Sequence, residues 1–151
     1  MPVQKMEVNQ MEELLQRQAV GRLGMSINGQ PYVVPLHYLY QRGKLFFHSS
    51  KDGLKISCLL TNPKVCFEVD ELIGISSGDS ACNFHTRYRS VLVTGTARIL
   101  ENTAEKAAVV NKLVEKYAEG KSVQPPTEEA IKNVAIVEIA AIEMTGKIRE
   151  D

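Results

Sequence analysis

Apolar and polar positions alternate along much of this chain, in runs joined by short turns and interrupted by helical spacings. Val20 to Ile27 alternates and ends at Asn28-Gly29. That dipeptide suits a two-residue hairpin turn, because both positions tolerate positive φ. The second arm is predicted from Tyr32 to Tyr40, and Gln41-Arg42-Gly43 turns into a third strand, Lys44 to His48. Val65, Phe67 and Val69 alternate with Cys66, Glu68 and Asp70, the pattern of a half-buried strand. Arg89 to Leu100 places Val91, Val93, Ala97 and Ile99 on one face, and Gly95 within it marks a bulge or a close backbone approach. Val134 to Ile142 reads as the last strand.

Four helical segments fall between these runs. Asn9 with Glu12 three residues on predicts a capped helix to about Gln18, burying Met11, Leu14 and Leu15. Gly53 to Leu60 is a short helix that Pro63 prevents from continuing. Asn102 and Glu105 repeat the cap pattern ahead of Ala107, Val110, Leu113, Val114 and Tyr117, and Gly120 ends that helix. Pro125-Pro126-Thr127-Glu128 opens a fourth. Leu72 to Thr86 is rich in Gly and Ser and is predicted to be a mobile loop. Six strands linked mainly by hairpins, with helices outside, predict a small antiparallel barrel or sheet in an α+β fold. No repeat or linker divides residues 1–151, so one domain is expected.

Charge narrows the partners. The 18 basic and 18 acidic side chains cancel, so no global field attracts nucleic acid or an anionic membrane. No apolar run approaches the ~20 residues of a membrane span, and Met1-Pro2-Val3-Gln4-Lys5 does not read as a signal peptide. Three widely spaced cysteines, Cys58, Cys66 and Cys82, suit reduced thiols in a cytoplasm better than a disulfide framework. Tyr32, Tyr38 and Tyr40 share a strand face with Val34 and Leu36. Without basic clusters around it, that stripe reads as core or dimer interface and not as a base-stacking surface.

The densest chemistry lies in Leu45 to Lys55. An apolar strand runs into His48, Ser49 and Ser50, and a helix carrying Lys55 follows. Imidazole, hydroxyls, first-turn amides and an ammonium thus meet at one helix N-terminus, where an anion is favoured. An ordinary helix cap with a surface lysine explains the same residues equally well from local sequence alone. The segment is not a Walker loop, since Gly53-Leu54-Lys55 lacks the glycine spacing and the following Ser/Thr. Cys82-Asn83-Phe84-His85 resembles half of a metal site, but no second ligand pair accompanies it, and no metal is expected.

Several motifs in order resemble a known family. They are Arg22-Leu23-Gly24, then Pro31 to Tyr38, then Leu45 to Ser50 with Gly53-Leu54-Lys55, then Asn62 to Glu68, and finally Tyr88-Arg89-Ser90-Val91 followed by Gly95. Together they are similar to the pyridoxamine 5′-phosphate oxidase-related flavoproteins, most of all the nitroimidazole-resistance (Nim-type) branch. The resemblance spans about Val20 to Lys147. It implies a six-stranded antiparallel split β-barrel and a homodimer holding FMN, with FAD as the variant, in clefts at the subunit interface. It places the flavin phosphate on His48, Ser49, Ser50 and Lys55, and the flavin ring beside Pro35, Leu36, His37 and Tyr38, with Tyr88, Arg89 and Ser90 nearby. Leu54 stands where the family commonly carries arginine. No segment matches the residues by which the oxidase holds pyridoxal phosphate, so vitamin B6 oxidation is not the expected activity. The resemblance implies an oxidoreductase that passes electrons from NAD(P)H to a small organic acceptor such as a nitroaromatic or quinone. A non-enzymatic flavin-binding or sensing protein, or a haem protein using His37, His48 or His85, is the alternative on the same fold.

Overall fold

The computed structural model describes residues 2–150. Its strands are β1 (Gln4–Lys5), β2 (Val20–Ile27), β3 (Gln30–His37), β4 (Leu39–Gln41), β5 (Lys44–Ser49), β6 (Lys64–Ser76), β7 (His85–Ile99) and β8 (Ala135–Arg149). The helices are α1 (Val8–Arg17), α2 (Leu54–Thr61), α3 (Thr103–Ala118) and α4 (Glu128–Lys132). All strands pair antiparallel in the order β3-β2-β6-β7-β8-β5-β4, with β1 added to β8. The sheet is not closed: β3 and β4, its two ends, do not pair, which makes an α+β fold of the split-barrel kind. Eight strands replace the six expected, because β1 and β4 are only two and three residues long and carry no readable period.

The Asn28-Gly29 turn forms as its sequence requires, with φ of 51° and 78°. Inside the barrel lies a core of Leu14 and Leu15 from α1 with Leu23, Tyr38, Phe47, Phe67, Val91 and Val93, all fully buried. A second cluster on the opposite face joins Phe46 and Ile136 to Val109 and Leu113 of α3. Strand β5 is therefore covered on both faces, which explains its unbroken Leu45-Phe46-Phe47 run. Gly95 serves both purposes predicted for it. The β7–β8 register shifts there, and a Cβ on Gly95 would stand 2.3 Å from the Ala140 carbonyl oxygen.

Three segments depart from the sequence expectation. Much of Leu72–Thr86 is sheet and not loop, with Leu72 to Ser76 pairing with His85 to Tyr88 across a bulge at Ile73. Gly74 is small there because the Arg87 guanidinium lies over it, 2.4 Å from where a Cβ would stand. The last strand continues to Arg149, since the polar-apolar run after Ile142 pairs with the first half of β7. The strand expected from Tyr32 to Tyr40 is interrupted at Tyr38, whose backbone bonds to a helix instead. The α1 cap also moves, from Asn9 to Glu7, whose amide donates to Gln10 Oε1 at 2.8 Å. Among the described residues, no helix is long and apolar enough to cross a membrane.

Candidate functional site

Strand β5 delivers Ser49 into a buried position opposite Ala135 of β8, and the chain then turns sharply. Ser50 Oγ donates to the Asp52 carbonyl at 2.7 Å, and Gly53 adopts a φ of 123°, a conformation that side-chain-bearing residues rarely take. No side chain caps α2. The amides of Leu54, Lys55 and Ile56 consequently have no intrahelical acceptor. Lys55 Nζ lies 3.5 Å from Ser49 Oγ and 5.6 Å from the centroid of the Phe47 ring. Among the described residues no carboxylate pairs with it, and partial burial pushes its pKa below the usual lysine value. An ammonium drawn partly out of water with one long hydroxyl contact gains most from an anion.

Across from Lys55 stands the end of β3. Val20, Pro35, Leu36 and His37 face His48 and Lys55 over an open cleft of about 410 Å³. Strand β3 is a sheet edge, and its register with β2 starts from the hairpin turn. In such a two-residue hairpin Gln30, Tyr32, Val34 and Leu36 bond inward, so Pro31, Val33, Pro35 and His37 direct their backbones outward. The two prolines thus occupy positions where a missing N–H costs no ladder bond. The amide of His37 remains an outward donor at the cleft.

His37 and His48 also line a second, apolar hollow of about 290 Å³, together with Val110, Leu113, Tyr117 and Val134. Tyr117 stacks on His37 with centroids 4.5 Å apart. Its hydroxyl accepts the Tyr38 amide at 2.8 Å and lies within 2.9 Å of the carbonyls of Ala19 and Tyr38, to one of which it donates. Lys116 Nζ donates to the same Tyr38 carbonyl at 2.9 Å and sits 3.8 Å from the Tyr38 ring centroid, and burial lowers its pKa to about 8. Neither α3 residue stood out as a site residue in the sequence. Tyr117 looked like one more apolar position on the buried face of α3, and only its polar tip distinguishes it.

The structure does not bring every expected residue to the cleft. The Tyr38 side chain is fully buried, donates to the Leu15 carbonyl at 2.5 Å and meets Phe67 edge-on, and burial raises its pKa well above the usual tyrosine value. It belongs to the core, and its backbone is engaged by α3. Tyr88, Arg89 and Ser90 line no part of the cleft within their own chain. Arg89 instead pairs with Glu71 at 3.3 Å and with Glu150, beside Arg17 in a separate polar pocket. His85 lies at the start of β7, with Nδ1 3.3 Å from the Asn83 carbonyl. Among the described residues, no three His, Cys, Asp or Glu side chains gather in a metal-binding group.

The family model described as pyridoxamine 5′-phosphate oxidase matches residues 7–148. The chain belongs to this family. Similar solved structures share its fold. One is a candidate 5-nitroimidazole antibiotic resistance protein from Bacteroides thetaiotaomicron, at 24% identity and a TM-score of 0.82, covering 98% of this chain and 89% of the other. The flavocytochrome Anf3 from Azotobacter vinelandii matches at 24% identity and a TM-score of 0.85, covering 96% and 68%. An FAD-binding protein from Mesorhizobium loti matches at 25% identity and a TM-score of 0.74, covering 99% and 100%. A search of curated proteins gives no significant match. Within the family fold, the donor set at the cleft suits a phosphate ester: a half-buried lysine with no acid partner among the described residues, a buried hydroxyl and an uncapped helix start.

Proposed function

We propose that the cleft binds a flavin, FMN in the first instance, with its phosphate on Lys55, Ser49, Ser50 and the first-turn amides of α2. The ring would lie along Pro35 to His37, with the outward His37 amide addressing its polar edge. The observation that carries this reading is Lys55, an ammonium with no carboxylate partner among the described residues, at an uncapped helix start facing an open cleft. Support comes from solved relatives of the same fold whose names describe FAD-binding and flavocytochrome proteins. A bound flavin supplies reversible electron transfer at its ring. The chain's own part is to grip the phosphate, hold the ring against β3, and keep water from one of its faces.

On this reading the protein is an oxidoreductase that takes electrons from NAD(P)H and reduces a small organic acceptor, a nitroaromatic or quinone. The apolar hollow beside His37 and His48 suits a flat acceptor of that kind. On the same reading the working unit is a homodimer, in which Tyr88, Arg89 and Ser90, which line no part of the cleft in their own chain, would serve the partner's flavin. The free thiols Cys58, Cys66 and Cys82 suit the reducing cytoplasm.

The deciding experiment is an absorbance spectrum of the purified protein before and after incubation with FMN, with mass spectrometry of any released ligand. A protein that stays colourless in excess FMN overturns the reading. Oxidation of a reduced nicotinamide on adding an acceptor separates an enzyme from a flavin store or sensor. A second reading, haem binding, is favoured by one observation: two imidazoles, His37 and His48, line one apolar hollow. A Soret band after haem addition, lost in His37→Ala or His48→Ala, would identify it.

A further inference from the structure

Another hollow, of about 430 Å³, shares no lining residue with the cleft, and the flavin reading does not use it. Lys55 lines the cleft, and its neighbour Ile56 lines this second space. Three lysines from three segments converge there: Lys51 from the turn before α2, Lys106 from the first turns of α3, and Lys132 from the end of α4. Lys132 is held 3.3 Å from Glu128, and Glu101 also lines the space. The ammonium groups of Lys51 and Lys106 have no carboxylate or hydrogen-bond partner among the described residues.

Lys106 is the telling member. The residue retains only 7% of its accessible surface, its stem packed down while its ammonium reaches solvent, and no acid pairs with it among the described residues. Burial, and then the neighbouring Lys51 ammonium, push its pKa down from the usual lysine value. Two neighbouring ammonium groups that repel each other over an apolar wall, neither paired with an acid among the described residues, favour an anion between them. The start of α3 adds to it. Asn102 Oδ1 accepts the Glu105 amide, while the Thr103 amide has no intrahelical partner and Thr103 faces the hollow. Ile56, Leu100 and Val134 make the remaining wall apolar.

We propose that this hollow is a second ligand site, which takes a phosphate ester of nucleotide type. Its phosphoryl oxygens meet Lys51, Lys106 and the start of α3, and its less polar body lies on Ile56, Leu100 and Val134. The same chemistry has two sources: a free nucleotide, or the distal half of a flavin dinucleotide whose first phosphate occupies Lys55. In the second case this site, and not the cleft, selects FAD over FMN.

The test is calorimetry with ADP and inorganic pyrophosphate, alongside fluorescence titrations with FMN and FAD, on the wild type, Lys51→Ala, Lys106→Met and Lys55→Ala. For a free nucleotide, ADP binds FMN-loaded protein, FMN and FAD bind alike, and Lys51→Ala or Lys106→Met weakens ADP by about tenfold or more. Lys55→Ala leaves that binding intact. For a dinucleotide tail, FAD binds more tightly than FMN, and the same two variants remove only that difference. If Lys106→Met fails to fold by thermal melting, the exposed Lys51→Ala decides alone. The proposal is overturned if neither probe binds and FAD is no tighter than FMN, or if probe binding depends on Lys55 and not on Lys51 and Lys106. The FMN titration reads the cleft separately, so either site can fail without the other.

Discussion

The imidazole of His37 and the phenol of Tyr117 stack with planes 20° from parallel, joining the cleft end of β3 to the last turn of α3. The hydroxyl of Tyr117 also takes the backbone amide of Tyr38, at the point where β3 and β4 separate. One side chain thus stands in for a strand neighbour and braces a ring at the cleft.

Replacing Tyr117 by Phe keeps the stack but leaves the Tyr38 N–H without its acceptor. An unsatisfied buried donor costs about 1–3 kcal/mol. At about 2–4 °C per kcal/mol for a chain of this size, thermal unfolding should move down by several degrees. An unchanged melting temperature would show that the amide finds another acceptor.

Lys55→Ala should weaken FMN binding by about tenfold or more, because hydrogen bonds to charged groups contribute about 1.5–3 kcal/mol. Flavin fluorescence quenching measures the affinity, and circular dichroism checks the fold. Equal affinity in the variant would remove Lys55 from the phosphate site.

Gly95→Ala pushes a methyl into the Ala140 carbonyl, a backbone atom that cannot swing away. Overpacking of this kind costs about 1–3 kcal/mol. Chemical denaturation should show the loss, whereas Gly43→Ala, which meets no atom within 4 Å, carries only the strain of its positive φ of 79°.

Lys116 gives a pH signature. Burial lowers its pKa to about 8 in the folded chain, from an ordinary value of 10.5. Between these values the unfolded chain holds the proton and the folded one does not, so this residue's contribution to stability rises with pH. It is complete above 10.5 and lost as pH falls through about 8. Measured against Lys116→Met across pH 7–11, wild-type stability should climb in that window and run parallel below it. Parallel curves throughout would place the Lys116 ammonium in water.

What was legible in the sequence follows from how local each signal is. The Asn28-Gly29 hairpin, the stop at Pro63, the Thr103–Ala118 helix and the close approach at Gly95 each arise from residues adjacent in the chain or from one missing Cβ. The turn from Ser49 to Lys55 was readable for the same reason, since its polar groups are contiguous. The site's other half was not. Tyr117 reaches Tyr38 across 79 positions, and nothing near either residue announces the bond. Composition misled at Leu72 to Ser76, where Gly74 looked like loop and instead makes room for Arg87 inside a paired strand. The burial of the Tyr38 side chain follows from the alternation expected from Tyr32 to Tyr40, which sets it on the face of Val34 and Leu36.

The prolines on β3 have a consequence beyond the cleft. An edge strand with free amides is a template on which another chain can add, and long exposed edges invite aggregation. Pro31 and Pro35 remove two of the four outward donors and leave Val33 and His37 isolated from each other. A continuous ladder cannot grow from such an edge, yet a single small molecule can still be addressed by one amide. The barrel can therefore stay open on this side for a ligand without becoming the seed of a fibril.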